Sequence, residues 1–99
     1  YSAAKAALNS FVRGISRPLA KKNIRINAVA PGNILFEGSS WSKKIEENAE
    51  AVTEMLSTQV PQKTFGEPRD VASAVSFLLS CEARFVTGAV LPIDGGQLK

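Results

Sequence analysis

The sequence predicts an α/β fold. Two short apolar runs, residues 24–30 and 89–93, read as strands, and a helical pattern beginning at Pro68 lies between them. Strand, helix, strand is one crossover unit, whose natural product is a pair of parallel strands. A second helical pattern, residues 1 to about 22, precedes the first strand.

That first helix follows from Leu8, Phe11, Val12, Ile15 and Leu19, which recur at steps of three and four and make one apolar face. Ala3, Ala4, Ala6 and Ala7 add helix propensity and permit close approach by another backbone. Pro18 conflicts with the pattern, because it removes an intrahelical bond and presses on the carbonyl four residues back. That carbonyl belongs to Gly14, which absorbs a kink readily. Asn23 suits the left-handed conformation that ends a helix. In the strand that follows, Ile24, Ile26, Ala28 and Ala30 share one side and Val29 takes the other, until Pro31-Gly32 stops it.

Residues 33–64 are polar and irregular, with a helical tendency over 41–56 that Asn48 and nearby acids weaken. A cleaner helix starts at Gly66-Glu67-Pro68. Pro68 fits its first turn and Asp70 its positive end, while Val71, Ala72, Val75, Leu78 and Leu79 give a buried face. Thr87-Gly88 is a turn, and Asp94-Gly95-Gly96 is another, with Asp94 bonding its own backbone. Two strands with one crossover helix bury themselves poorly, since parallel sheets are covered on both faces. The strand at Ile24 is therefore expected to have a further neighbour. With Tyr1 rather than Met at the start, sequence upstream is expected too.

Ninety-nine residues with 44% hydrophobic content and 21% charge suit one soluble domain and leave no room for two. No apolar run approaches the roughly 20 residues of a membrane helix, so no membrane partner is expected. The net charge of +3 raises nucleic-acid binding, and Arg13, Arg17, Lys21, Lys22 and Arg25 do cluster. No reading motif accompanies them; they are assigned to solvating the end of the first helix, with no nucleic-acid partner. Cys81 has no second cysteine and the chain has no histidine, which excludes an internal disulfide and leaves no metal site. A buried thiol is expected there, compatible with a reduced, cytoplasmic setting.

Tyr1 and Lys5 are four apart on the first helix, so they project from one face. A phenol with a pKa near 10 is a poor proton donor or acceptor at neutral pH, and a nearby ammonium lowers that value. Lysine also donates hydrogen bonds to sugar hydroxyls. The pair alone equally describes a helix-surface contact. Pro31-Gly32-Asn33-Ile34 closes a strand at the edge where open α/β sheets bind ligands, or simply begins a loop.

Taken together, the motifs are more specific. Tyr1-Ser2-Ala3-Ala4-Lys5, then residues 24–30 with Pro31-Gly32, then Gly66-Glu67-Pro68-Arg69-Asp70-Val71-Ala72, then Thr87-Gly88 and Asp94-Gly95-Gly96, stand in fixed order. This order closely resembles the short-chain dehydrogenase/reductase family over essentially the whole chain. The resemblance implies part of a Rossmann-type, doubly wound parallel sheet: catalytic helix, strand, substrate-loop helices, helix and last strand. Residues 1–99 match the carboxyl-terminal part of that single domain, and residues 35–62 match its substrate-binding loop or lid. The phosphate-binding half of the family precedes the tyrosine.

By the same resemblance the cofactor is NAD or NADP. Tyr1 matches the catalytic acid/base, and Lys5 the residue that lowers its pKa and holds the nicotinamide ribose. Pro31, Gly32 and Ile34 match the segment beside the nicotinamide, the Ile34 backbone reaching the carboxamide. Phe36 stands where the family often has a threonine, so that contact is expected to be lost or replaced. Phe36 and Trp41, with Met55 and Leu56, are candidates for an apolar substrate lid, whereas Lys43 and Lys44 read as a solvated face. The implied activity is interconversion of a secondary alcohol and a ketone by a protein that forms homotetramers when complete. A catalytically inactive fragment acting in assembly is the alternative.

Overall fold

The computed structural model describes residues 2–97. In chain order the elements are α1 (Ser2–Ala20), β1 (Ala28–Pro31), α2 (Ser40–Glu47), α3 (Ala49–Gln59), α4 (Pro68–Leu79), a 3-10 turn (Cys81–Ala83) and β2 (Val90–Ile93). β1 and β2 form one two-stranded sheet. They run parallel, with α4 in the crossover, as the sequence predicts. The chain divides into two compact units, residues 1–30 with 74–91, and residues 31–73 with 92–99.

In the first unit, α1 runs without interruption through Pro18. It ends with Asn23 at φ 61°, where Ile24 N–H donates to Leu19 O at 3.0 Å and Asn23 N–H to Ala20 O at 3.0 Å. This double bond pattern around a left-handed residue is the Schellman stop that Asn23 predicts. The apolar face of α1 is only partly covered. Val12 is buried, but Leu8 and Phe11 are 59% and 58% exposed. Ser16, also buried, donates through Oγ to Arg13 O at 2.7 Å. Gly88, at φ 74°, passes so near Ser16 that a Cβ there would lie 2.6 Å from Oγ.

Regular pairing begins at Ala28, later than the predicted residue 24. Before Ala28, side chains take the place of ladder partners: Ile26 N–H donates to Thr87 Oγ1 at 3.1 Å and Ala89 N–H to Asn27 Oδ1. Arg25 Nη1 donates to Leu78 O at 2.7 Å and Val86 O at 3.2 Å, and Nη2 to Ser80 O at 3.4 Å. Arg25 thus bonds carbonyls at and beyond the end of α4 instead of solvating α1, a correction to its place in the basic cluster. Asn27 donates to Val86 O at 3.1 Å and accepts from Ala89 N–H at 3.0 Å.

α4 buries Leu78, whereas Leu79 is 78% exposed and Ala72 is also exposed. The helix stops at Leu79, so Cys81 falls outside its buried stripe and opens the 3-10 turn. Its thiol is exposed, not buried as expected.

In the second unit, the predicted 41–56 helix is two helices broken at Asn48. That residue serves both: its N–H donates to Lys44 O at 2.9 Å and its Oδ1 accepts from Ala51 N–H at 3.1 Å. Ser39 caps α2 through Oγ, accepting from Ser42 N–H at 3.2 Å. Val52 and Val60 are buried in this unit. No helix among the described residues is long and apolar enough to cross a membrane, and those residues hold no cluster of three or more metal-ligating side chains.

Candidate active site

The predicted site residues fall in both units. Tyr1 lies outside the described residues. Lys5 stands on the first turns of α1 with its side chain exposed. Pro31, Gly32, Ile34, Phe36 and Trp41 belong to the second unit, which gathers the strand end, the following loop and α2.

Pro31 is the last residue of β1. Gly32 N–H donates to Ile93 O at 2.9 Å, which carries the pairing one step past the strand. A side chain at Gly32 has no room: its Cβ would lie 2.7 Å from Asp94 Cβ and 2.8 Å from Asp94 Cα. The glycine of the Pro-Gly pair therefore permits close approach of two strand-end segments.

Beyond it, Ile34 forms a parallel bridge with Gly66. Gly66 N–H donates to Asn33 O at 3.0 Å and Gly66 O accepts from Leu35 N–H at 2.9 Å. In extended chain the polar groups of successive residues alternate in direction. Since Asn33 O and Leu35 N–H face Gly66, the N–H and C=O of Ile34 point to the opposite edge. Gly66 is also tightly fitted, its Cβ position lying 2.7 Å from Ile34 Cδ1.

The turn after β2 forms as predicted, Asp94 Oδ1 accepting from Gly96 N–H at 2.9 Å. Its two glycines have a second task that the sequence reading missed. Both adopt positive φ, 62° at Gly95 and 92° at Gly96, and Gly95 O accepts from Gln62 N–H at 3.1 Å. Cβ atoms there would lie 3.1 Å from Val60 Cγ1 and 3.2 Å from Pro61 Cγ, so the turn seats the segment after α3. Paired glycines beyond a turn's own needs were the available signal.

Around these segments lies a cleft of about 600 Å3, lined among others by Asn33, Gln62, Gly66, Asp70, Asp94 and Gln97. Its rim carries the α4 start, where Asp70 Oδ2 accepts from Glu67 N–H at 2.7 Å. The Glu67 carboxylate bonds the Arg69 guanidinium at 3.0 Å and holds its pKa above the ordinary value, first through that hydrogen bond and then through charge. Both partners are well exposed, and the pair contributes little to stability.

Phe36 is 53% exposed on the loop before α2. Trp41, half-buried, packs on Phe65 with ring centroids 5.3 Å apart and planes tilted by 52°. Lys44 Nζ lies 4.4 Å above the Trp41 ring, a contact that gives this lysine a role within α2.

Comparison with known proteins agrees with this architecture. A family model described as "Enoyl-(Acyl carrier protein) reductase" matches residues 1–97. The chain is 43% identical over 96 residues to the 3-oxoacyl-[acyl-carrier-protein] reductase of Bos taurus, covering 97% of this chain and 36% of that protein. Among solved structures, 4-hydroxyisoleucine dehydrogenase complexed with NADH superposes with a TM-score of 0.85 at 34% identity, covering 98% of this chain and 38% of the other. YwfH, an NADPH-dependent reductase involved in bacilysin biosynthesis, superposes with a TM-score of 0.82 at 33% identity, over 95% and 37% of the two chains. The chain thus spans little more than a third of the length of these relatives. With the motif order, the parallel strand pair and the match over nearly every residue in agreement, the chain belongs to the short-chain dehydrogenase/reductase family.

Proposed function

We propose that this chain is the carboxyl-terminal portion of an NAD(P)-dependent oxidoreductase that interconverts a secondary alcohol and a ketone. The observation that carries the reading is the strand-end segment at residues 31–34. In the bridge the bonds with Gly66 are made by Asn33 O and Leu35 N–H, which leaves the Ile34 N–H and C=O facing away, a donor and an acceptor suited to a flat carboxamide. The cofactors named for two similar structures, NADH and NADPH, support the cofactor class and leave both nucleotides open.

In this reading the residues divide the work simply. Nicotinamide supplies or accepts the hydride when it is bound. The Ile34 backbone orients the carboxamide, and the Gly32–Asp94 contact keeps the segment in place. The Tyr1 hydroxyl gives a proton to the carbonyl oxygen during reduction and takes one from the alcohol during oxidation. The Lys5 ammonium favours the phenolate and holds a ribose hydroxyl. Phe36 and Trp41 border the substrate, within a lid formed by residues 35–62.

The test is Tyr1→Phe in the full-length protein. Loss of proton transfer is expected to lower kcat by about 100- to 10,000-fold while NADH or NADPH still binds. Normal turnover by that variant overturns the assignment. Lys5→Ala is expected to weaken both turnover and cofactor binding, and unchanged cofactor affinity removes its ribose contact.

A second reading, assembly without catalysis, draws on a specific observation: Leu8, Phe11, Leu79 and Phe85 are 59%, 58%, 78% and 93% exposed. Apolar side chains left so open suit burial by further protein. Sedimentation reads assembly and the ketone assay reads catalysis. A tetramer that turns over satisfies the first reading, and an assembled but inert wild type satisfies the second.

A further inference from the structure

Asn33 lies between the tightly fitted Gly32 and the bridged Ile34, and its side chain leaves the segment altogether. Nδ2 donates to Gln97 Oε1 at 2.9 Å and stands 3.8 Å from Met55 Sδ on α3. These partners are 64 and 22 residues away in sequence. One carboxamide carries two N–H donors, so both contacts form together. The sulfur is a weak acceptor, and the bond to Gln97 carries most of the energy. Asn33 and Gln97 are each half-buried, which shields that bond partly from competing water.

No other side chain at residues 31–34 can do this. Pro31 and Ile34 have no polar side-chain atom and Gly32 has no side chain. Main-chain bonds fix the segment to β2 and to Gly66, but only Asn33 ties it by a side chain to α3 and to the chain beyond the Asp94–Gly96 turn.

We infer that Asn33 is a positioning residue, whose carboxamide braces the cofactor-facing segment against α3 and Gln97. The role at a nicotinamide rests on the oxidoreductase reading above; the brace itself does not. Through it, the 35–62 region and the turn after β2 set the position of the Ile34 backbone, and so the affinity for what lies beside it.

The experiment is a double-mutant cycle of Asn33→Ala and Gln97→Ala in the full-length protein. It is read by hydrogen exchange at Leu35 and Gly66, whose N–H groups close the bridge at Ile34, and by KM against kcat for a ketone. Each single variant is expected to speed exchange about two- to tenfold, the range for losing one hydrogen bond, and the double variant no further. KM rises by a similar factor while kcat stays within about twofold.

Gln97→Glu keeps an acceptor oxygen for Asn33 and is expected to restore both readings. Additive effects, or a glutamate variant no better than alanine, overturn the brace. If Asn33→Ala fails to fold, the Gln97 pair still decides. A wild type without turnover removes the oxidoreductase reading, and the exchange cycle then judges the brace alone.

Discussion

The two ends of the β1–β2 pair are built differently. In the first unit, the approach to β1 is held by side chains: Arg25 gathers three carbonyls, and Asn27 bonds both Val86 O and Ala89 N–H. In the second unit, the exit from β1 is held by glycines and main-chain bonds, with Gly32 against Asp94 and Gly66 against Ile34. Long polar side chains bind main-chain groups around the first end. Glycines at the second let backbone segments approach closely, beside a cleft of about 600 Å3. The first end is held by side-chain anchors, whereas the second depends on close backbone approach that only glycine permits.

The largest expected effect comes from removing the anchor at the first end. Arg25→Ala removes the charged partner of the Leu78 and Ser80 carbonyls, while Val86 O keeps its bond from Asn27. Charge-assisted bonds contribute about 1.5–3 kcal/mol apiece, but water reaches this half-buried site, so a total loss of about 2–4 kcal/mol is expected. Urea unfolding of the full-length protein measures it. A loss below about 0.5 kcal/mol removes Arg25 from the scaffold.

At the second end, Gly32→Ala presses a methyl group onto Asp94 backbone and Cβ, 2.7–2.8 Å away. Overpacking of this kind costs about 1–3 kcal/mol. Its distinguishing mark is functional: under the proposed reading, in which the displaced segment borders the cofactor, cofactor affinity is expected to fall more steeply than stability. A variant that loses stability but binds NADH or NADPH normally breaks the contrast between the two ends.

The sequence made the first-order architecture legible because its signals are local. Asn23 ends α1, Pro68 and Asp70 open α4, and Asp94-Gly95-Gly96 turns the chain. What it hid depends on distant partners. Arg25 looked like surface charge beside Lys21 and Lys22, since nothing nearby in sequence reveals carbonyls 53 to 61 residues away. The late start of β1 has the same origin. Asn48 was visible as a disturbance, but a residue that ends one helix and caps the next reads ambiguously from composition alone. Cys81 was misplaced because periodicity marks a face without marking where the helix stops. At the second strand end, Pro31 closes β1 and Ile34 bridges Gly66. The reach of Asn33 to Gln97 was not legible.

The smallest effect tests whether glycine is needed wherever it occurs. Gly14 sits inside α1, and a Cβ there meets nothing within 4 Å. Its carbonyl is the one Pro18 leaves without a helical donor. Two expectations therefore compete. If the helix needs the freedom of Gly14 to pass Pro18, Gly14→Ala is destabilising. If the backbone there is ordinary helix, alanine reduces the entropy of the unfolded chain and stabilises the protein by about 0.5–1 kcal/mol. The unbroken run from Ser2 to Ala20 favours stabilisation. A rise in the urea midpoint with unchanged slope is the expected result. It makes Gly14 dispensable where Gly32 is not, and so separates glycine as an accident of a helix from glycine as the means of bringing two strand-end segments together. A lowered midpoint instead assigns Gly14 to accommodating Pro18, and makes α1 a second place where the fold depends on missing side chains.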